Sequence, residues 1–447
     1  MADKTFSFSS DALSDIAGRV VDIARRQGAS ASEADVSEGV GQSVGVRLGE
    51  VETIEYNQDK SVSVTVYLGQ KKGHASTSDF SEAALEETVR AALDIARYTA
   101  EDDCAGLADA QLLADEFPDL DLYHPWSLPV EDAIELARRC ENSARAVDAR
   151  IRNSEGASVS VQASQFIYAN SHGFNAGFSS SRHSLSAAVV AGDGQAMQRD
   201  YWYSAARHRD DLLPAEEVGR IAGERTVRRL NARRVKTGQY PVLFEAPVAM
   251  SLLGHLASAI SGGSLYRKSS FLLDCLGKPV MSKQVVIDED PFLLRGLASS
   301  VFDSEGVATQ SRRLVDGGVL QGYLLSSYSA RKLGMQTTGN AGGAHNLVVH
   351  STGESQAELL AQMGSGLLVT ELLGQGVNTV TGDYSRGAAG FWVENGVIVY
   401  PVEEITIAGN LREMFLNIEA IANDELDRGG RRIGSVLIGG MMVAGEE

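Results

Sequence analysis

Hydrophobic residues recur at helical spacing in Leu13, Ile16, Val20 and Ile23, which predicts an amphipathic helix early in the chain. The period then changes to two. Val44, Val46 and Leu48 alternate with polar residues or glycine, and Val62, Val64, Val66 and Leu68 alternate more cleanly. Such alternation predicts strands with one buried face. A second helix follows, with Leu85, Val89, Leu93 and Ala96 as its stripe and Asp79 and Glu82 at capping-box spacing. The same order then returns. Pro129 marks a helix start ahead of Ile134, Ala137, Ala144 and Val147. Short strands are expected around 159–161, 166–168, 185–190 and 201–203, and a closing helix from about 216 to 230. Residues 101–128, with Pro118, Pro125 and several aspartates, read as a linker between two copies of one layout.

After about residue 235 the pattern changes again. Glycine becomes dense, as suits turns, bulges and close backbone approach. Asp316-Gly317-Gly318 separates two short apolar runs, and Asn395-Gly396 is the favoured type I′ hairpin dipeptide. Helices are expected at about 247–260 and near 357–363. The fold class is therefore α+β: two N-terminal α/β regions, 1–120 and 121–235, then a large, mostly antiparallel, β-rich domain over 236–447.

Composition narrows the partners. The chain has 447 residues, 43% hydrophobic and 22% charged, which is ordinary for a multidomain globular protein. A net charge of -19 argues against nucleic acid as the main partner. One basic cluster, Arg225, Arg228, Arg229, Arg233, Arg234 and Lys236, reads as a solvated helix end. Cys104, Cys140 and Cys275 have no CxxC spacing, so neither a disulfide framework nor a structural zinc site is implied. Met1 to Ser10 lack the basic start and apolar run of a signal peptide, and no apolar run approaches the roughly 18 residues that span a membrane. A cytoplasmic location without membrane contact is the expectation.

A zincin needs two imidazoles one helical turn apart with a glutamate between them. None of the eight histidines is followed by Glu, so HExxH is absent, as are GxSxG, P-loop and GxGxxG patterns. His255 shares a helix side with Val248, Leu252 and Ala259 and reads as a core histidine with one satisfied hydrogen bond. His345 and His350 have an odd offset, so an extended segment places them on opposite faces; they read as loop or surface residues. Glu371, Asp383, Glu394, Glu403 and Glu404 read as solvated strand faces. In 381–390, small residues surround Asp383 and Arg386. Two readings stay open there: a plain inter-strand loop, or an exposed edge that takes a peptide as an added strand.

Several strings carry a resemblance: VTELLGQG (369–376), TGDYSRGAAGFWVENG (381–396), YPVEEITIAGN (400–410), AISGGS (259–264), YRKS (266–269), FDSEG (302–306) and SYSARK (327–332). They resemble the PmbA (TldE) branch of the TldD/PmbA family, specifically over 240–447 and more loosely before it. The resemblance implies two N-terminal α/β regions and a β-rich C-terminal domain. It also implies a part in a bacterial cytoplasmic metalloprotease that trims unfolded peptides, including bacteriocin precursors and antitoxins. In that assembly the TldD-type chain holds zinc on an HExxxH helix with a third, cysteine ligand near its C-terminus. Anchored on Tyr266-Arg267-Lys268, the two histidine positions fall on Gly254 and Ala259, the glutamate position on His255 and the cysteine position at about Ile433. The resemblance thus implies no catalytic and no metal-binding residue in this chain. It implies zinc in a TldD-like partner, and a heterodimer with that partner or a homodimer when alone. Asp383, Tyr384, Ser385, Arg386 and Gly387 are the candidate peptide-binding or interface residues. Two alternatives stand beside this: a hydrolase with a cryptic site using Glu371 or Asp383 with His345, and a regulatory binding protein, from the family's older label as a modulator of DNA gyrase.

Overall fold

Each half of the N-terminal part has the order helix, three strands, helix in the computed structural model, which describes residues 5–446. The first unit is α1 (Ser10–Arg26), β1 (Ala31–Arg47), β2 (Glu50–Leu68), β3 (Lys71–Thr77) and α2 (Glu82–Tyr98). The second is α3 (Val130–Ala146), β4 (Ile151–Asn170), β5 (Asn175–Ala191), β6 (Gln198–Ala206) and α4 (Ala215–Arg228). Antiparallel pairing of β1 with β4 joins the units into one six-stranded sheet, β3-β2-β1-β4-β5-β6. The repeated layout read from the sequence is thus present, with both units sharing one sheet.

The helix stripes Leu13, Ile16, Val20, Ile23 and Leu85, Val89, Leu93, Ala96 are buried against Val62, Val64 and Val66. Two local expectations change. The cap of α2 is Ser81, which accepts from the Ala84 N–H, while Asp79 accepts from the Ser81 N–H at 2.8 Å. The runs 159–161 and 166–168 belong to the single strand β4. Polar stretches do not break these strands, because cross-strand serines bond each other, as Ser158 with Ser186 at 2.9 Å.

Helices α3 and α4 cross closely at Gly219, where an added Cβ would lie 2.0 Å from the Cys140 carbonyl oxygen. Gly219→Ala must push the helices apart, and overpacking of this kind costs about 1–3 kcal/mol. A fall in the thermal unfolding midpoint is expected, and an unchanged midpoint would refute this reading of the crossing.

The C-terminal part contains β7 (Gly238–Phe244), α5 (Ala246–Ala259), α6 (Gly262–Tyr266), β8 (Ile287–Asp290), β9 (Arg312–Asp316), β10 (Val319–Leu320) and α7 (Ser327–Lys332). It continues through β11 (Asn346–Val349), α8 (Gln356–Met363), β12 (Gly366–Leu373), β13 (Asp383–Glu394), β14 (Val397–Asn410) and α9 (Leu411–Leu416). It ends with β15 (Ile418–Ile421), β16 (Leu426–Arg428), β17 (Arg431–Ile433) and β18 (Val436–Ala444). These strands form two sheets, β10-β9-β8-β11-β17-β16 and β14-β13-β12-β7-β18-β15. Pairing is mostly antiparallel, with β7–β12 and β11–β17 parallel. Because β14 also pairs with β18, five strands of the second sheet close on themselves and leave few free edges. Asn395 and Gly396 have φ of 51° and 77°, as their type I′ hairpin requires.

Residues 101–128 are more than a linker. Asp102 accepts from Tyr328 at 2.7 Å and Lys332 at 2.8 Å, and Leu120 and Leu122 join Phe174 and Phe302 in a buried aromatic cluster. The basic cluster divides: Arg228, Arg233, Arg234 and Lys236 are exposed, as a solvated helix end would be, whereas Arg225 and Arg229 are largely covered and paired with acids. Arg225 pairs with Glu245 at 2.8 Å and Asp200 at 3.4 Å, and Arg229 pairs with Glu371 and Asp200. Arg228 lies over Phe391, Arg233 over Tyr400, and Arg234 pairs with Glu404. Their partners come from far along the chain, which a local reading of charge cannot see. Together they make the seam between α4 and the C-terminal domain. Among the described residues no helix is long and apolar enough to cross a membrane; residues 1–4 of the N-terminal stretch read for a leader lie outside the described residues.

Candidate functional site

Strand β7 runs into α5, whose Leu252, Leu253 and Leu256 are buried in the core. At helical spacing along another side of α5 stand Pro247, Ser251, Gly254 and Ser258, all small or compact. The β16–β17 hairpin lies beside that stripe. Its two turn residues, Gly429 and Gly430, have φ of 59° and 79°, a left-handed pair that favours glycine. Arg428 and Arg431 flank the turn. Arg428 stacks on Trp202 at 4.1 Å and Tyr203 at 4.0 Å. The Arg431 guanidinium sits where a Cβ on Gly254 would be 3.2 Å from its Nη1.

Two cavities follow the stripe. The larger, about 530 Å³, is lined by Gly254, Ser258, Gly263, Asn340, His345 and Arg431 among others. The smaller, about 260 Å³, includes Trp202, Ser251, Glu371, Arg386 and Arg428. Near them, His255 and Tyr384 meet edge to face with ring centroids 6.0 Å apart. His255 Nε2, Tyr384 Oη and Arg386 Nε are buried with no hydrogen-bond partner among the described residues. His255 therefore lacks, at Nε2, the satisfied bond expected of a core histidine. Burial, then the positive charges of Arg386 and Arg431, lower its basicity. Burial pushes the Tyr384 hydroxyl up to about 12, partly offset by Arg386.

His345 is not a surface residue: its side chain is 10% exposed, with Nδ1 3.2 Å from the buried Glu289 carboxylate. Glu289 also accepts from Asn340 at 2.7 Å, Arg312 at 2.8 Å and the His345 N–H at 2.9 Å. Burial alone would raise Glu289; the donors from His345 and Arg312 outweigh it and hold the carboxyl at about 2. His350 is half exposed and bonds Asp288 at 2.7 Å. The two histidines thus answer to different acids.

The segment Asp383, Tyr384, Ser385, Arg386, Gly387 forms the start of β13, and both of its edges are already paired. Tyr384 and Ser385 face Gly409 and Ala408 of β14. On the other side the Ser385 N–H donates to the Gly376 carbonyl at 2.7 Å and Gly387 faces Leu373. Addition of a peptide strand has no open ladder there, which corrects the edge-strand expectation. Asp383 accepts from Thr381 at 2.6 Å and Asn410 at 3.2 Å, so it caps its own loop. Of the other carboxylates, Glu394 and Glu404 are exposed, as solvated strand faces would be, but all four have partners. Glu371 pairs with Arg229, Glu404 with Arg234, Glu403 accepts from Gln198, and Glu394 accepts from Trp392 at 2.9 Å. Glu371 lines the smaller cavity, His345 the larger, and Asp383 neither, so the suggested Glu371 or Asp383 with His345 are not brought together.

The positions that the family resemblance assigned to zinc lie on two packed elements, α5 and β17. Gly254 and Ala259 have no donor side chain, Ile433 is buried and aliphatic, and His255 stands alone. Among the described residues no group of three or more His, Cys, Asp or Glu side chains could hold a metal ion. The donor set does not fit zinc. Sequence reasoning found this helix but missed Arg431, Arg428 and Glu289. The Arg-Gly-Gly-Arg run at 428–431 was the available signal, as a two-glycine turn between paired cations.

Family models match along the chain: the PmbA/TldA metallopeptidase C-terminal domain over residues 237–445, the central domain over 123–230 and domain 1 over 32–96. The metalloprotease PmbA of Escherichia coli O157:H7 is 51% identical over 415 residues, covering 93% of this chain and 92% of its own. A metalloprotease PmbA homolog of Haemophilus influenzae is 51% identical over 427 residues, covering 95% and 94%. A crystal structure from Bacteroides thetaiotaomicron, described as a modulator of DNA gyrase, matches with a TM-score of 0.91 at 30% identity, covering 96% of this chain and 98% of that one.

Proposed function

The chain belongs to the PmbA/TldA metallopeptidase family, and from that we propose that it is the non-catalytic subunit of a cytoplasmic zinc protease whose metal-bearing chain is a TldD-like homologue. Its role is to hold extended, unfolded peptide, such as a bacteriocin precursor or antitoxin, in the groove along α5 while its partner cleaves. A homodimer is the form expected when the partner is missing. The observation that carries this reading is the chemistry at the ligand positions: Gly254, Ala259 and Ile433 offer no lone pair to a metal. A protein with only an isolated imidazole at such a helix cannot activate water on zinc.

The test is cleavage of a disordered peptide by this chain alone, by its TldD-like homologue alone and by both, with the metal content of each purified species. Zinc is expected in the homologue only, with cleavage by the pair. Zinc-dependent cleavage by this chain alone would overturn the proposal. Recovery of a topoisomerase instead of the homologue as its main partner would favour the regulatory reading.

A further inference from the structure

His345 is held at one ring nitrogen and free at the other. Its side chain is 10% exposed, and Nδ1 lies 3.2 Å from Glu289 Oε1. Asn340 Nδ2 is 3.5 Å from the same nitrogen, but it already donates to Glu289 at 2.7 Å and to the Gly343 carbonyl at 3.1 Å. Nδ1–H therefore donates to the carboxylate, and the neutral ring keeps its lone pair on Nε2. Nε2 has no partner among the described residues. His345 lines the larger cavity, and so does Arg431, whose guanidinium makes no ion pair or hydrogen bond among the described residues. The backbone brings the two together. Strands β11 and β17 run parallel with Leu347 beside Arg431, and the Leu347 N–H donates to the Gly430 carbonyl at 2.8 Å. His345 stands two residues ahead of Leu347, and all three line the cavity.

We propose that His345 and Arg431 bind the main chain of an extended peptide, His345 Nε2 accepting an N–H and the Arg431 guanidinium donating to a C=O. In an extended chain the N–H and C=O of one residue point to the same side, so a single residue reaches both groups. A carboxylate or phosphate would satisfy Arg431 but set a second acceptor against Nε2. The rest of the lining offers little to read a side chain. Seven of its residues are glycines, and the Ser261, Ser326 and Ser329 hydroxyls already bond within the wall. Gly254 lies inside α5, where glycine weakens a helix, and a Cβ there would come 3.2 Å from Arg431 Nη1. The missing side chain thus makes room for the guanidinium. Main-chain groups of folded proteins are already paired, so a site of this kind admits only unfolded segments. The identity of the ligand as a peptide rests on the proposed function; the pairing of a free acceptor with a free donor does not.

The experiment uses the full chain and an end-capped, labelled peptide of about ten residues built from alanine, serine and lysine. Beside it stand a scrambled sequence and a form N-methylated at every amide. Fluorescence anisotropy is expected to show the scrambled peptide within about threefold of the parent and the N-methylated one at least about tenfold weaker. Arg431→Met should weaken the parent at least about fivefold, and undiminished affinity overturns the site. On the unsubstituted protein, where no misfolding can intervene, the nitrogen resonance of His345 Nε2 should move upfield with the parent and stay put with the N-methylated form. A resonance unmoved by a bound parent overturns the site, as does a scrambled peptide that binds tenfold or more weakly, which would mean side-chain recognition. Equal affinity for the parent and its N-methylated form overturns the site while leaving the peptide-holding role intact. Binding of none of the peptides overturns both, and the zinc and cleavage measurements stay independent of either.

Discussion

Arg225→Ala should destabilise the protein by about 3–5 kcal/mol, the cost of removing one partner from a buried charge cluster. The Arg225 side chain is 12% exposed and bridges Glu245, at 2.8 Å, and Asp200, at 3.4 Å. It also lies over the Trp202 ring at 5.2 Å. Burial works against its charge, and the two carboxylates outweigh that. Alanine would leave both acids desolvated, with Arg229 as the cation still beside Asp200. Glu245 directly precedes α5, so the loss reaches the helix that carries the groove. Arg225→Lys should recover only part, because an ammonium cannot fork between two acids. Denaturant unfolding with separate probes for the two parts is the measurement. The variant should unfold at lower denaturant, with the N-terminal sheet and C-terminal domain no longer coincident. A loss below about 1 kcal/mol would make the cluster an ordinary surface network.

What a sequence displays locally, this chain displays well. The stripes of α1 and α2, the alternation in β2 and the Asn395-Gly396 turn all follow from periodicity and turn chemistry, and they form as read. The repeat of helix, strands and helix was legible for the same reason, but not the count of three strands in each unit, since β3 carries no clean alternation and β4 reads as two runs. What was not legible depends on partners far along the chain. The basic cluster reads as solvated because Asp200, Glu245 and Glu371 come from three other places in the chain. His345 reads as peripheral because Glu289, 56 residues earlier, pairs across β8 and β11. The segment at 383–387 leaves an edge reading open because its small residues suit one, whereas β13 lies between β14 and β12 and so has neighbours on both sides. For the site, the missing ligands are plain in Gly254, Ala259 and Ile433 themselves. The unpaired Arg386 and Arg431 are not, since only geometry reveals that an arginine has no acid.

Glu289→Gln should cost about 3 kcal/mol near neutrality, and the cost should shrink as the pH falls. Glu289 is 1% exposed and takes four hydrogen bonds, from Arg312, Asn340 and both nitrogens of His345 that face it. A carboxylate so surrounded is held at about 2, against an ordinary 4.5 in the unfolded chain. A depressed folded value means stability that is present in full above 4.5 and lost as pH falls toward 2. Each tenfold change in proton affinity between the folded and unfolded chain is worth about 1.4 kcal/mol, so the full contribution is about 3 kcal/mol. Glutamine keeps the shape but turns an N–H toward one of the donors, so it forfeits that contribution. The observable is the difference in unfolding free energy between the two proteins from about pH 6 to about pH 3. Asp303, pushed up to about 6 mainly by burial, titrates across part of this window with the opposite sign, its contribution being lost as pH rises from 3.8 through 6. It is common to both proteins and cancels in the difference. A difference that stays constant across the window would show that Glu289 acts through shape alone. Because Asn340 and His345 line the larger cavity, the same substitution should also loosen the lining of the groove proposed to hold peptide.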